Sequence, residues 1–424
     1  MSRLALLCLL LITGSFTFAQ RECGASHYQD ELLKRFPAIQ EHIEASNALL
    51  SNSRSTAIMG AGAPAGVVPV ITIPIVVHIL YKESHQNISD EQVLSQIEVL
   101  NKAFQFQLAD TARIPAHFRN LAANCRIQFC LAKVDPNGYA TSGIVRKSTW
   151  VTLYGMDDRI KFSNQGGDDA WDSRYYLNIW IGSLAGGIMG YASPIGGPAD
   201  RDGIAIVPSA FGTKGNVVFP YNQGKTAVHE IGHWLGLRHI WGDTYCGDDL
   251  VDDTPTQRSA NRGCPSGIKF SCGNTGNGDM YMNYMDLTND DCMLMFTVGQ
   301  MNRMRAAFAE GGPRHAMLSS QGCSGTPKPK PIEAPVATEP VVKLLNLYPN
   351  PTQSQLVIDI TQHAELLGSE AQVVNHMGQP VKTFRLSQHK TTIDIRHLAG
   401  GIYVIRLHNN SEGIKQYQEK FLKL

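Results

Sequence analysis

The chain has no excess charge of either sign: 37 Lys and Arg stand against 37 Asp and Glu in 424 residues, and only 17% of the side chains are charged. Without surplus cations no basic face forms, which excludes nucleic acid as a partner. Long apolar runs are scarce too. The run Leu4 to Ile12 is interrupted by Thr13, Gly14 and Ser15, short of the about 20 residues a spanning helix needs, and no stretch after Ala19 is apolar enough to cross a bilayer. With Arg3 before it and Thr17-Phe18-Ala19 behind it, this run reads as a secretory signal, residues 1–19. What is present is 39 Gly, 21 Pro, 43% hydrophobic residues and nine Cys. That is the composition of a loop-rich folded protein of two or three domains, exported to where disulfides persist. Every Cys except Cys8 is a bridge candidate.

Residues 20–54 contain an amphipathic stretch, Tyr28 to Leu50, with Leu32, Leu33, Phe36, Ile39 and Ile43 at helical spacing. Gly60 to Gly66 is a flexible joint, and Val67 to Ile79 reads as a buried strand. A pro-segment ahead of a folded domain at 55–323 fits this break. Ser89-Asp90-Glu91-Gln92 predicts a capping box on a helix striped by Val93, Ile97, Leu100 and Phe104. Strands are predicted at Cys125 to Val134, Tyr176 to Ile181 and Gly203 to Val207. The result is an α/β (α+β) core. A Pro-rich linker spans 324–341, and short alternating segments over 342–424 predict an all-β module.

The chemistry concentrates in Thr226 to His239. His229 and His233 are four apart, so on a helix both rings project from one face and can grip one cation. Glu230, about 100° around the helix, stays off the metal but within reach of a water on it. Gly236 can end the helix in a left-handed conformation, and His239 then returns as a third ligand. Three imidazoles and one open position make a catalytic Zn²⁺ site, with Glu230 as general base. Met285, in the polar turn Asn283-Tyr284-Met285-Asp286, matches the Met-turn beneath metzincin zinc sites. Asp248, Asp249, Asp252 and Asp253, with Thr254, offer the hard oxygens that Ca²⁺ prefers, or else form a solvated acidic turn.

HEIGHWLGLRH, Ile240-Trp241-Gly242-Asp243, Asp253-Thr254-Pro255, and NYMD with Asp290 and Cys292 behind it resemble the pappalysin branch of the metzincins over about residues 70 to 323. The resemblance implies a proteolytic domain with a twisted upper sheet, the zinc helix beneath it, an irregular lower subdomain, and calcium. It also favours the pairings Cys246 with Cys272 and Cys264 with Cys292. One departure stands out: a Tyr expected two residues after the Met is Leu287 here, leaving Tyr284 or Tyr281 as replacement donors. Substrate is expected antiparallel along a sheet edge at Gly190-Tyr191-Ala192. By the same resemblance Asp290 lies in the wall of the pocket just beyond the scissile bond. A carboxylate there selects Arg, then Lys, after that bond, with Asp291 as the alternative residue. Arg21-Glu22-Cys23-Gly24 resembles the cysteine switch of metzincin zymogens, in which a thiolate takes zinc's open position; a disulfide from Cys23 to Cys323 is the competing reading.

Leu347-Tyr348-Pro349-Asn350-Pro351 and Leu398 to Val404 resemble the C-terminal sorting domain of type IX secretion. The resemblance implies export through periplasm and outer membrane by that machinery, and release or surface anchoring. An immunoglobulin-like module that stays attached is the alternative for this part. For the whole chain, a zinc endopeptidase acting on proteins or peptides is expected, and a non-enzymatic surface adhesin with a structural zinc is the other class; the intact Glu230 argues against the adhesin.

Overall fold

The computed structural model describes residues 21–52, 68–329, 345–375, 378–408 and 416–424. The signal 1–19, the Gly60 to Gly66 joint and most of the Pro-rich linker lie outside the described residues. The chain divides into two compact units, Met1–Lys330 and Pro331–Leu424. Residues 324–329 belong to the first unit, where Lys328 N donates to the Gly138 carbonyl (2.8 Å).

In chain order the first unit contains α1 (Ala25–Arg35), α2 (Gln40–Asn52), β1 (Ile71–Tyr81), α3 (Asp90–Phe104), α4 (Ala116–Arg119), β2 (Ile127–Leu131), β3 (Ile144–Ser148), β4 (Leu177–Ile181), β5 (Gly190–Ala192), β6 (Ile204–Ile206), α5 (Lys225–Trp234) and α6 (Val298–Ala306). The amphipathic stretch from Tyr28 is therefore two helices. Pro37 disfavours helical geometry at Phe36 and lacks the N–H that would continue the ladder, so α1 ends at Arg35. The predicted capping box forms by half: Ser89 accepts from Gln92 N (3.1 Å), while the Gln92 side chain donates to the carbonyls of Pro208 and Phe211 (both 2.9 Å).

The sheet runs β2-β1-β4-β6-β5, with β3 beside the second half of β1. All pairs are parallel except β5 with β6. β1 is central and buried on both faces, which is why its sequence is apolar almost without interruption. Its odd positions Ile73, Ile75, Val77 and Ile79 join the main core with α3 and α5. Leu80, with Trp180, Tyr191 and Ala205, joins a second core on the opposite face, completed by Tyr28 and Leu32 of α1. β5 is thus an edge strand directly above α5. A Cβ at Gly190 would stand 2.9 Å from Glu230 Cγ, so only glycine lets the rim approach the motif helix this closely.

Residues 239–297 carry few regular elements and are cross-linked instead, Cys246 to Cys272 and Cys264 to Cys292. A third disulfide joins Cys130 on β2 to Cys323, while Cys23 and the buried Cys125 are free thiols. The alternative bridge from Cys23 to Cys323 is therefore overturned.

The second unit consists of β7 (Asn346–Tyr348), β8 (Gln355–Asp359), β9 (Glu370–Val374), β10 (Pro380–Arg385), β11 (Lys390–Asp394), β12 (Gly401–His408) and β13 (Gln416–Lys423). They form two antiparallel sheets, β10-β9-β12-β13 and β11-β8-β7. Alternate residues such as Leu356, Ile358, Val373, Ile405 and Leu407 build one core of their own.

Candidate active site

α5 presents His229 and His233 on one face, and the chain leaves it through Gly236 at φ +91°, where a side chain would be strained. That turn returns His239. The three Nε2 atoms converge: His233 Nε2 lies 3.1 Å from His229 Nε2 and 3.1 Å from His239 Nε2. Each Nδ1 is committed to an acceptor behind it, the Tyr284 carbonyl for His229 (2.6 Å), the Leu237 carbonyl for His233 (3.0 Å) and Asp243 Oδ1 for His239 (2.5 Å). These acceptors fix the proton on Nδ1 and leave three Nε2 lone pairs facing one another. Such an arrangement is repulsive without a cation. Nitrogens about 2.1 Å from a tetrahedral Zn²⁺ stand roughly 3.4 Å apart, so the residues present fit the metal. Burial drives the His233 ring down to about 3 and holds His229 well below its usual range, so both remain neutral donors.

Trp241 stacks on the His239 ring at 4.2 Å and 10°, completing its support. Burial alone would raise the Asp243 carboxyl, but the hydrogen bond from His239, the electrostatic pull of the His239 and His233 rings and a hydrogen bond from Ser26 together outweigh it and bring the group to about 2. Sequence reasoning quoted Asp243 without assigning it a role; its spacing of four from His239, beside a Trp, is the signal that could have found it. Met285 lies under the site: its Sδ would be 2.5 Å from a Cβ at Gly232, and its carbonyl accepts from Ile240 N (3.3 Å).

Glu230 is buried on the rim side of α5, and burial pushes its carboxyl up to about 8. Its Oε2 is 3.8 Å from Cys23 Sγ, and Cys23 Sγ is 3.5 Å from His233 Nε2. Among the described residues, Cys23, His229, His233 and His239 are the group whose ligand atoms gather within 4.8 Å. The segment carrying Cys23 pairs with the rim, Gly24 N to Gly190 O and Met189 N to Glu22 O (both 2.9 Å), and runs parallel to β5. Arg21, two residues earlier, enters the pocket of Asp290. Its guanidinium bonds the Asp290 carboxylate, reaches Thr226 Oγ1 (3.2 Å) and lies 5.0 Å from the Tyr221 ring centroid. Asp290 also accepts from Gln223 N (2.7 Å), whereas Asp291 turns outward to the Gln223 side chain.

The acidic loop does not converge in the same way. Asp248 accepts from Leu250 N (2.7 Å), and Asp249 binds Thr254 Oγ1 (2.8 Å). Asp253 sits on the N-terminus of α6, accepting from Thr297 Oγ1 (2.6 Å) and Gly299 N (2.8 Å). Asp252 lines the adjacent cavity. The four carboxylates expected to act together thus face different partners, because two of them serve the turn and the helix end. Tyr284 is not a cleft donor: it is fully buried, with its ring 4.8 Å from Phe296, and serves through its carbonyl. Tyr281 is half-buried against the main core and Leu287 is buried.

Residues 161–309 match the family model described as pregnancy-associated plasma protein-A, and residues 346–423 match that of the secretion system C-terminal sorting domain. An extracellular metalloprotease of Pyricularia oryzae is 32% identical over 68% of this chain and 88% of its own length, and one of Arthroderma benhamiae 31% over 70% and 94%. Among solved structures, mature mirolysin of Tannerella forsythia in complex with a cleaved peptide is 48% identical, covering 59% of this chain and 96% of that one at a TM-score of 0.58. A promirolysin variant is 42% identical over 70% and 97%, at a TM-score of 0.65. These likenesses set the adhesin reading aside, and no helix among the described residues is long and apolar enough to cross a membrane. The chain belongs to the pappalysin family, as a secreted zinc metalloendopeptidase that carries a C-terminal sorting domain of type IX secretion.

Proposed function

We propose that this protein is a zinc endopeptidase made as a latent precursor, that His229, His233 and His239 hold the metal, and that it cleaves on the amino side of Arg and less well of Lys. Bound there, Zn²⁺ supplies Lewis acidity to the scissile carbonyl and to the attacking water. Glu230 takes the proton from that water and returns it to the leaving amine; its raised affinity for a proton suits both tasks. The rim strand β5 receives substrate as an added antiparallel strand.

One observation carries the specificity: the protein's own Arg21 pairs with Asp290 while Cys23 Sγ lies 3.5 Å from His233 Nε2, beside the three imidazoles, where it would take the metal's open position. The segment runs parallel to β5, opposite to the direction proposed for substrate, so it blocks the site without presenting a scissile bond to Glu230. Residues 20–54 are accordingly a pro-segment, 55–323 the catalytic domain and 342–424 the sorting domain, immunoglobulin-like in its two antiparallel sheets. A structural calcium on the acidic loop is supported by Asp249, a buried carboxylate that accepts from Val251 N and Thr254 Oγ1 and that burial pushes up to about 7. The test is a peptide-library profile of the processed enzyme with and without a chelator. Cleavage before Arg, abolished by chelation and restored by zinc, is the expected result; a flat profile after the scissile bond removes the specificity reading.

A further inference from the structure

Both partners of the Arg262 guanidinium among the described residues lie in the pro-segment. Nη1 donates to the main-chain carbonyl of Arg21, and Nη2 stands 2.9 Å from Glu22 Oε1. The backbone beneath it is pinned. Asn261 N and Nδ2 donate to Asp286 (2.7 and 2.9 Å), Asn289 N donates to the Gly263 carbonyl (2.8 Å), and Cys264 is bonded to Cys292. Because Asp290 lies two residues before Cys292, the loop that carries Arg262 is tied to the loop that carries the base of the Arg pocket. Two charges of opposite sign thus bear on the same dipeptide, Asp290 on the Arg21 side chain and Arg262 on the Arg21 carbonyl and Glu22. Asp290 is fully buried, while the Arg262 side chain is 30% exposed and loses both partners when residues 21–22 depart.

We propose that Arg262 is a second specificity determinant: in the processed enzyme it receives an acidic side chain adjacent in sequence to the Arg that enters the Asp290 pocket. Preferred substrates then carry Glu or Asp beside that Arg, in the order opposite to Arg21-Glu22, because that segment runs opposite to the proposed substrate direction. The pairing with Arg rests on the reading of Asp290 given above. A main-chain carbonyl is offered by every peptide, so the contact to the Arg21 carbonyl discriminates nothing; the side-chain pair does, and it rejects a basic neighbour by like-charge repulsion. The planar fork of Arg can serve carbonyl and carboxylate together, which the point charge of Lys cannot. The pair is partly exposed, so the expected preference for Glu over Gln is about two- to five-fold in kcat/KM, and it is screened by salt. It acts on binding and should enter through KM.

The test uses zinc-loaded enzyme expressed as the full chain and freed of its pro-segment. Peptides carry Glu, Gln or Lys beside Arg, and a matched set carries Leu in place of that Arg. The quantity read is the Glu-to-Lys ratio of kcat/KM within each enzyme, which cancels differences in active fraction. The wild type should favour Glu, R262Q should bring the ratio near one, and R262E should invert it. If R262E does not fold, the fall of the wild-type ratio between low and high salt takes its place. A wild-type ratio near one, or the same ratio in R262Q, overturns the proposal. Equal cleavage of the Arg and Leu sets with a persisting Glu preference overturns the Asp290 reading alone and leaves Arg262 in its role.

Discussion

Arg21 and Asp290, 269 residues apart, form an ion pair whose side chains are 1% and 0% exposed. A carboxylate buried so completely is costly without a counter-charge, so departure of Arg21 leaves a site that favours another cation. On the function proposed above, latency and specificity are two uses of one pocket.

Replacing Arg21 by Ala in the precursor should weaken the closed form by about 3 to 5 kcal/mol, the usual penalty for removing one partner of a buried pair. Cys23→Ala should raise precursor activity toward that of the processed enzyme, because the open position at the metal is no longer filled. Cleavage of a fluorogenic Arg peptide by unprocessed protein measures both. A Cys23→Ala precursor as silent as its parent removes the switch.

Asp290→Ala should lower kcat/KM on Arg peptides by about a hundred-fold or more while leaving apolar peptides less affected. The same carboxylate also accepts from Gln223 N, so some loss of stability accompanies it and thermal melting must be followed in parallel. An unchanged profile would move the selectivity to another residue.

Glu230→Ala should retain the metal, since His229, His233 and His239 keep their three Nδ1 acceptors, yet lose about 10²- to 10⁴-fold in activity. Metal analysis of the purified variant with assays in excess zinc separates the two effects. Activity near wild type in a metal-replete sample contradicts the role given to Glu230.

Removing the bond between Cys130 and Cys323, which closes a loop of 193 residues, should cost about 3 to 5 kcal/mol of stability. Denaturant unfolding of the Cys130→Ala, Cys323→Ala double variant tests this. The free Cys125 is not expected to substitute, being fully buried.

A calcium-selective chelator should lower the melting temperature, with calcium at a hundredfold over its Kd contributing about 2.7 kcal/mol. In Asp249→Asn the chelator should have little further effect. A melting curve indifferent to calcium in the parent returns the acidic loop to a solvated turn.

The motif helix was legible because its information is local: four-residue spacing sets His229 and His233 on one face, and Gly236 is dictated by one left-handed residue. The continuous burial of β1 followed from its β-branched run in the same way, whereas the edge position of Gly190 to Ala192 was expected only with the family resemblance. The break at Pro37 was written in the sequence too, but apolar periodicity across it masked the change of element. The half-formed capping box shows the opposite case, since Gln92 abandons the local partner for carbonyls more than 110 residues away.

The class of chemistry was therefore determined by the sequence alone, and so were the readings of an export signal, of three His as metal ligands and of Glu230 as base, because each depends on residue type at short spacing along one helix or one terminus. Tertiary structure decided which thiol faces the three imidazoles and which is bridged, that Asp243 and Trp241 hold His239, and that Arg21 meets Asp290 while Glu22 meets Arg262. These are contacts between segments joined by no local rule. Spacing along the chain says nothing of them, and only the packing of residues 21–24 across β5 and the cross-linked loops brings the opposite charges together.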